Sequence, residues 1–382
     1  MGKFTKKTPS PQTPGFALAK LLPLLLLLTL LGCEHANRSK DVQTQDIPIQ
    51  SRLSAQTWRG VCYAHSWEKG GRLGYGSEES LLSLKHLKSK NVDWVSLTPF
   101  GFMNSLSSTQ IMGTHNKNLS FGETDDRIRA ATQNARSQGM KVMLKPHIWI
   151  AGGKWRGQIV PKNSLGQTDW KTWWDNHNAW IIHYANLAKE LKIEALVIGL
   201  ELHTAVQHDP DALIRLADEV RKIYKGHITY SANWNEPVPV KVWKKMDSVG
   251  VQLYPPLQKK NEKNTNATWK KNFQSTMAYW EKMASLSKKP IILTEVGFRS
   301  AARAASHPNA WPDKNVGEES DPQLQAELYH FLLNEIVKRP QIEGVFFWKY
   351  FTNSNTKEEG PTGFSPMGKP AEHVMTKYFE KG

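Results

Sequence analysis

Cysteine is nearly absent: the 382 residues hold only Cys33 and Cys62, so if Cys33 is consumed elsewhere no intrachain disulfide is possible. No HxH or HExxH spacing accompanies any histidine, which argues against a metal site; no cofactor or metal is expected. No glycine-rich phosphate turn follows the first strand-like run, which weakens a dinucleotide-binding reading. No zinc motif, RNP-like run or basic helix is present, so nucleic-acid binding would rest on net charge alone and is not expected. The longest apolar run, Leu21–Leu31, has 11 residues, too short for the ~20 that span a bilayer as a helix.

That run instead reads as part of an export signal. Lys3, Lys6, Lys7 and Lys20 precede it, and Leu30-Leu31-Gly32-Cys33 closes it. The closing tetrapeptide resembles a bacterial lipobox, which implies cleavage after residue 32 and a lipid on Cys33. Residues 33–56 are polar with little periodicity and read as a flexible tether. Glu34 after Cys33, by resemblance to bacterial lipoproteins, implies a cell-envelope protein anchored in the outer membrane of a Gram-negative bacterium. Residues 57–382 are left for one domain, expected to be monomeric. The formal charge of +15 is concentrated in places: residues 241–289 carry 11 lysines against Asp247, Glu262 and Glu281. Most of these lysines fall at solvent-like helix positions, so a solvated basic face is expected.

Along residues 57–382 one pattern recurs: a short apolar run, a polar or aromatic residue, a loop, then an amphipathic stretch. The runs are 59–64, 92–100, 141–149, 194–202, 227–234, 248–255, 290–298 and 344–351. Ser77 before Glu78-Glu79 and Asp321-Pro322 before Leu324 mark helix starts; Gly139 and Gly226 mark helix ends. Strands alternating with helices predict a parallel sheet, and this number of units predicts a single-domain (β/α)8 TIM barrel. The alternative is an open doubly wound sheet.

In a barrel the carboxyl ends of the strands surround the active site. Those ends carry Lys145, His147, Glu201, Asn233, Tyr254, Glu295 and Trp348. Glu201 interrupts the apolar run VIGLEL, a costly place for a charge unless something compensates it. Period-two alternation predicts Val197, Gly199 and Glu201 on one face, and Ile291, Leu293 and Glu295 on another. Both glutamates would then face the mouth. Two facing carboxylates among aromatic and hydrogen-bonding neighbours suit glycoside hydrolysis. The rival reading of either glutamate is a buried ion pair with Lys145 or Arg299.

The pair Glu201 and Glu295 is similar to the clan A arrangement of glycoside hydrolases. The series KPHIW, WRGQI, IGLEL, YSANW, TEVGF and FFWKY resembles glycoside hydrolase family 113 over about residues 58–350. This resemblance implies a retaining β-mannanase acting on a β-linked polysaccharide or oligosaccharide, with Glu201 as acid/base and Glu295 as nucleophile. It implies substrate contacts at Lys145, His147, Trp149, Asn233, Tyr254 and Trp348, with Trp155 and Arg156 in the long 150–168 loop. Trp311 in the 298–320 loop is a further candidate. One departure stands out: Leu200 precedes Glu201 where many clan A enzymes carry a 2-OH-binding Asn, and Asn233 is the expected substitute. The alternatives are a retaining glycosidase for another β-hexoside and a non-catalytic surface glycan-binding lipoprotein on the same barrel.

Overall fold

Valine, isoleucine, leucine and aromatic residues fill the short runs, and in the computed structural model these runs become a closed parallel barrel. Residues 51–113, 122–310 and 317–380 are described. The strands are β1 (Trp58–Ala64), β2 (Trp94–Leu97), β3 (Lys141–Leu144), β4 (Ala195–Leu200), β5 (His227–Asn233), β6 (Val249–Leu253), β7 (Ile291–Val296) and β8 (Ile342–Phe351). Each pairs with its successor and β1 pairs with β8, which closes the ring and excludes the open sheet. The fold is the (β/α)8 TIM barrel.

Two of the expected strands are split, and proline is the reason. Pro99 and Pro146 lack the amide hydrogen that a ladder needs. Beyond them the chain leaves the barrel, and Phe100–Met103 and His147–Ile150 pair with each other in parallel, with Met112–Gly113 on the outer edge. This small sheet lies beyond the carboxyl ends of β2 and β3, where it adds a wall to the mouth.

The helices cover the barrel from outside. They are α1 (Glu78–Ser89), α2 (Asp125–Ser137), α3 (Trp170–Glu190), α4 (Pro210–Ile223), α5 (Asn266–Ser287), α6 (Pro322–Val337) and α7 (Pro370–Phe379), with a single turn at Val240–Trp243 after β5. Ser77 Oγ accepts from Ser80 N at 3.0 Å and Asp321 Oδ1 from Leu324 N at 2.8 Å, capping α1 and α6. Gly139 follows α2 at φ +68°, as a C′ residue does. Gly226 does not cap α4, which ends at Ile223; a Cβ on Gly226 would lie 2.1 Å from the Tyr224 hydroxyl, so its smallness serves that ring instead.

Burial separates two apolar populations. Cys62, Trp94, Met143, Val197, Ile292 and Phe346 fill the barrel interior. The other faces of the strands pack against the helices, where Trp173, Trp180, Trp243 and Trp280 are buried. Packing starts earlier than the tether boundary at 56: Leu53 is buried and its amide donates to Tyr378 O at 3.3 Å. Cys33 and the export segment lie outside the described residues. Among the described residues no helix is long and apolar enough to cross a membrane.

Strict alternation fails on β7. Ile292 joins the interior cluster, whereas Ile291 and Leu293 face the helices. Between Leu293 and Glu295 the strand holds one residue more than β6 does between Val251 and Gln252. This bulge turns Glu295 back toward the mouth. Strand β4 has the same device: Val197 to Leu200 spans one residue more than Thr229 to Ser231, and Gly199 faces Tyr230 rather than the interior. Glu201 follows at φ +49°, in the left-handed region that non-glycine residues seldom occupy.

Candidate active site

Glu201 and Glu295 line one cavity of about 360 Å³ at the carboxyl ends of the strands, with His147, Trp149, Trp155, Arg156, Asn233, Gln252, Tyr254 and Trp348. Both carboxyls are buried, at 8% and 7% exposure, so each needs compensating donors.

The donors differ between the two. Glu201 Oε1 accepts from Asn233 Nδ2 at 2.9 Å. Its Oε2 accepts from Arg156 Nη1 at 2.9 Å and Trp155 Nε1 at 3.2 Å. Burial raises the Glu201 pKa above the ordinary carboxylate value; Arg156 opposes this and the charge of Glu295 reinforces it. The result is a carboxyl that holds a proton more readily than a free one.

Glu295 is gripped from below and from the side. Lys145 Nζ donates to its Oε2 at 2.8 Å, and Tyr254 Oη donates to its Oε1 at 2.9 Å. Lys145 does not line the cavity as a hydroxyl-binding residue would. It is fully buried, and its remaining donors go to Thr294 O at 3.0 Å and Cys62 Sγ at 3.3 Å. Burial works against its charge, but Cys62 and Glu295 beside it outweigh that and raise its pKa. The Cys62 thiol is pushed up to about 12 by burial and stays protonated. The Tyr254 phenol is held well above its usual range by burial and by Glu295, so it remains a donor.

His147 stacks on Trp348, with ring centroids 5.7 Å apart and 17° between planes. Burial, then the charges of Lys145, Arg156 and Lys349, hold its pKa well below the usual value, so the ring is neutral. His147 Nε2, Asn233 Oδ1 and Gln252 Nε2 are buried without a hydrogen-bond partner among the described residues. Buried polar atoms of this kind are what sugar hydroxyls satisfy. Among the described residues no group of three or more His, Cys, Asp or Glu could hold a metal ion.

The sequence profile described as Glycoside Hydrolase Family 113 matches residues 63–369. The chain belongs to glycoside hydrolase family 113. It is therefore a glycoside hydrolase. A family 113 β-mannanase from Alicyclobacillus acidocaldarius, in complex with ManMIm, is similar in structure with a TM-score of 0.71. The two share 23% identity over 85% of this chain and 97% of that one. A complex of a family 113 β-1,4-mannanase gives a TM-score of 0.69 at 22% identity, over 85% and 98% of the two chains. A family 5 subfamily 18 enzyme from Streptomyces cattleya, in complex with GlcNAc, is more distant: TM-score 0.54, 14% identity, over 86% and 80%. At these identities the likeness is one of fold. No curated protein matches the sequence significantly.

In this family 113 hydrolase a second cavity, of about 320 Å³, adjoins the first. Phe100, Trp149 and Trp348 belong to both, and Trp67, His65, Lys349 and Glu359 are among the residues that line the second alone. Trp67 and Trp149 are 40% and 38% exposed, unusual for side chains of that size. Trp155 and Arg156 reach the site because the Arg156 Nε–H is anchored to Ile148 O at 2.8 Å. From the 298–320 loop Asn309 lines the cavity, while Trp311 lies outside the described residues. Sequence reading missed Gln252, which sits opposite Glu295 in the β6–β7 register; its place one step before Leu253-Tyr254 was the available signal. It also missed Glu236, an acid three residues after Asn233.

Proposed function

We propose that this family 113 hydrolase is a retaining endo-β-1,4-mannanase, with Glu295 as nucleophile and Glu201 as acid/base. The observation that carries the reading is the unequal surroundings of the two carboxyls. Glu295 is gripped at both oxygens by a buried ammonium and a phenol, which aim its carboxyl for attack. Glu201 is raised by burial and favours the protonated acid.

In the first step a Glu295 oxygen bonds to the anomeric carbon as the glycosidic C–O bond breaks. Glu201 gives its proton to the departing oxygen, and a glycosyl ester remains on Glu295. In the second, Glu201 takes a proton from water, which attacks the same carbon and releases Glu295. Asn233, already bonded to Glu201, keeps that carboxyl on the leaving-group side. Trp348 and His147 form the floor under the reacting sugar. The adjoining tryptophan-walled cavity supports a chain substrate rather than a single sugar, because sugar C–H faces pack on aromatic rings. The similar family 113 structures are of β-mannanases, which supports mannan as that chain.

The test is anomeric NMR of the first products from β-1,4-mannan, run beside β-1,4-glucan. Mannan cleaved with the β-anomer appearing first is expected; α-anomer first, or faster cleavage of glucan, sinks the reading. We also propose export and lipid anchoring through Cys33, supported by the sequence alone. Labelling of the wild-type chain by radioactive palmitate in a bacterial host, lost in Cys33→Ala, checks it.

A further inference from the structure

Glu236 is completely buried, lines neither of the two cavities and takes no part in the chemistry proposed above. Among the described residues no cation lies within ion-pair distance of it. A carboxyl so placed costs several kcal/mol unless its oxygens are well used.

They are used on both flanks of Glu201. Glu236 Oε1 accepts from Tyr230 Oη at 2.6 Å, and that hydroxyl accepts from Leu202 N at 2.7 Å. The second bond fixes the peptide that immediately follows Glu201. Glu236 Oε2 accepts from Asn233 N at 3.0 Å, and the side chain of Asn233 donates to Glu201 Oε1 at 2.9 Å. One carboxyl therefore holds the backbone after the acid/base and the residue that touches its oxygen. Glu201 needs such restraint, since its φ of +49° is one that an L residue adopts only when the surroundings impose it.

We infer that Glu236 is a positioning residue for Glu201, acting through Tyr230–Leu202 on one side and Asn233 on the other. The inference rests on the reading of Glu201 as acid/base. Each contact uses a lone pair on a different oxygen, which a carboxyl offers whether charged or neutral; glutamine has one oxygen, and its amide nitrogen offers only hydrogens. Burial pushes the Glu236 pKa up to about 8, in keeping with an environment that offers no counter-charge.

The experiment compares Glu236→Gln and Tyr230→Phe with wild type on two aryl β-mannosides. Dinitrophenolate departs without a proton; phenolate needs one from Glu201. Because kcat/KM reports only the first chemical step, a displaced acid shows as selective loss on the poor leaving group. For Glu236→Gln the expected loss is roughly 10–100-fold on phenyl mannoside and less than about threefold on dinitrophenyl mannoside. Tyr230→Phe, which removes the hydroxyl joining Glu236 to Leu202 and leaves the Asn233 side intact, must show the same asymmetry and carries the test if Glu236→Gln does not fold. Equal losses on both substrates indicate a merely structural role and overturn the inference, as does no loss on either. A wild-type enzyme inactive on both and on mannan overturns the mannanase reading and the inference with it, whereas an active wild type with symmetric losses overturns the inference alone.

Discussion

Replacing Lys145 with Met tests whether the buried ammonium beneath Glu295 is what holds that carboxylate in place for attack. Lys145 spends its donors at 2.8, 3.0 and 3.3 Å, on Glu295 Oε2, Thr294 O and Cys62 Sγ, and none on solvent. Methionine keeps the length and removes the charge. It leaves Glu295 with Tyr254 as its remaining donor among the described residues. Removing one member of a buried pair costs about 3–5 kcal/mol. For a domain of this size that corresponds to a fall in Tm of about 5–10 °C. Without the ammonium that fixes its Oε2, Glu295 is no longer held for attack, so kcat/KM on mannan should fall by about 100-fold or more. The full assay is a double-mutant cycle in urea with Lys145→Met, Glu295→Gln and both together. Each single change strands its partner, and the double does not, so the double should cost about 2–3 kcal/mol less than the sum. Additive costs, within about 0.5 kcal/mol, would refute the electrostatic pairing.

Three further outcomes follow from the same structure. Asn233→Ala removes a 2.9 Å bond to the Glu201 carboxyl and should lower kcat/KM by about 10–100-fold; unchanged kinetics would remove Asn233 from the site. Trp67→Ala should raise KM for long manno-oligosaccharides by about tenfold and leave aryl mannosides unaffected, which a comparison of the two KM values decides. Thermal stability should peak between about pH 4.5 and 6.5, as a Tm series reads directly. Burial lowers His65 to about 3 and His177 and His227 to about 4, against an ordinary 6.5, so the unfolded chain binds more protons and stability falls below pH 6.5. Burial raises Glu123 and Glu236 to about 8 from an ordinary 4.5, so their contribution is present below pH 4.5 and is lost as pH rises through 8. A Tm that keeps rising up to pH 8 contradicts this assignment.

The barrel was legible because its evidence is local. Apolar runs at regular intervals, capped helices at Ser77 and Asp321, and polar residues at the run ends can each be read without knowing any neighbour. What was not legible depends on partners. Alternation placed Ile291, Leu293 and Glu295 on one face, and a bulge invisible in the sequence separates them. Lys145 ends a strand run like the other site residues, yet Pro146 turns the chain out of the barrel after it and leaves the lysine beneath the cavity, not in it. Glu236 gave no periodic signal, since its role depends on Tyr230 and Asn233 being brought around it by β5. Leu200, odd beside a catalytic acid, is simply buried, and the amide that touches Glu201 comes from the neighbouring strand.

The central claim is that Glu295 forms a covalent bond to the substrate sugar. Incubation with a 2-fluoro aryl β-mannoside, which forms the glycosyl ester quickly and releases it slowly, tests it by mass spectrometry of the digested protein. One sugar added per chain, on the peptide containing Glu295 and absent in Glu295→Gln, is the predicted result. An enzyme that turns over mannan but carries no adduct, or carries it elsewhere, would contradict the account.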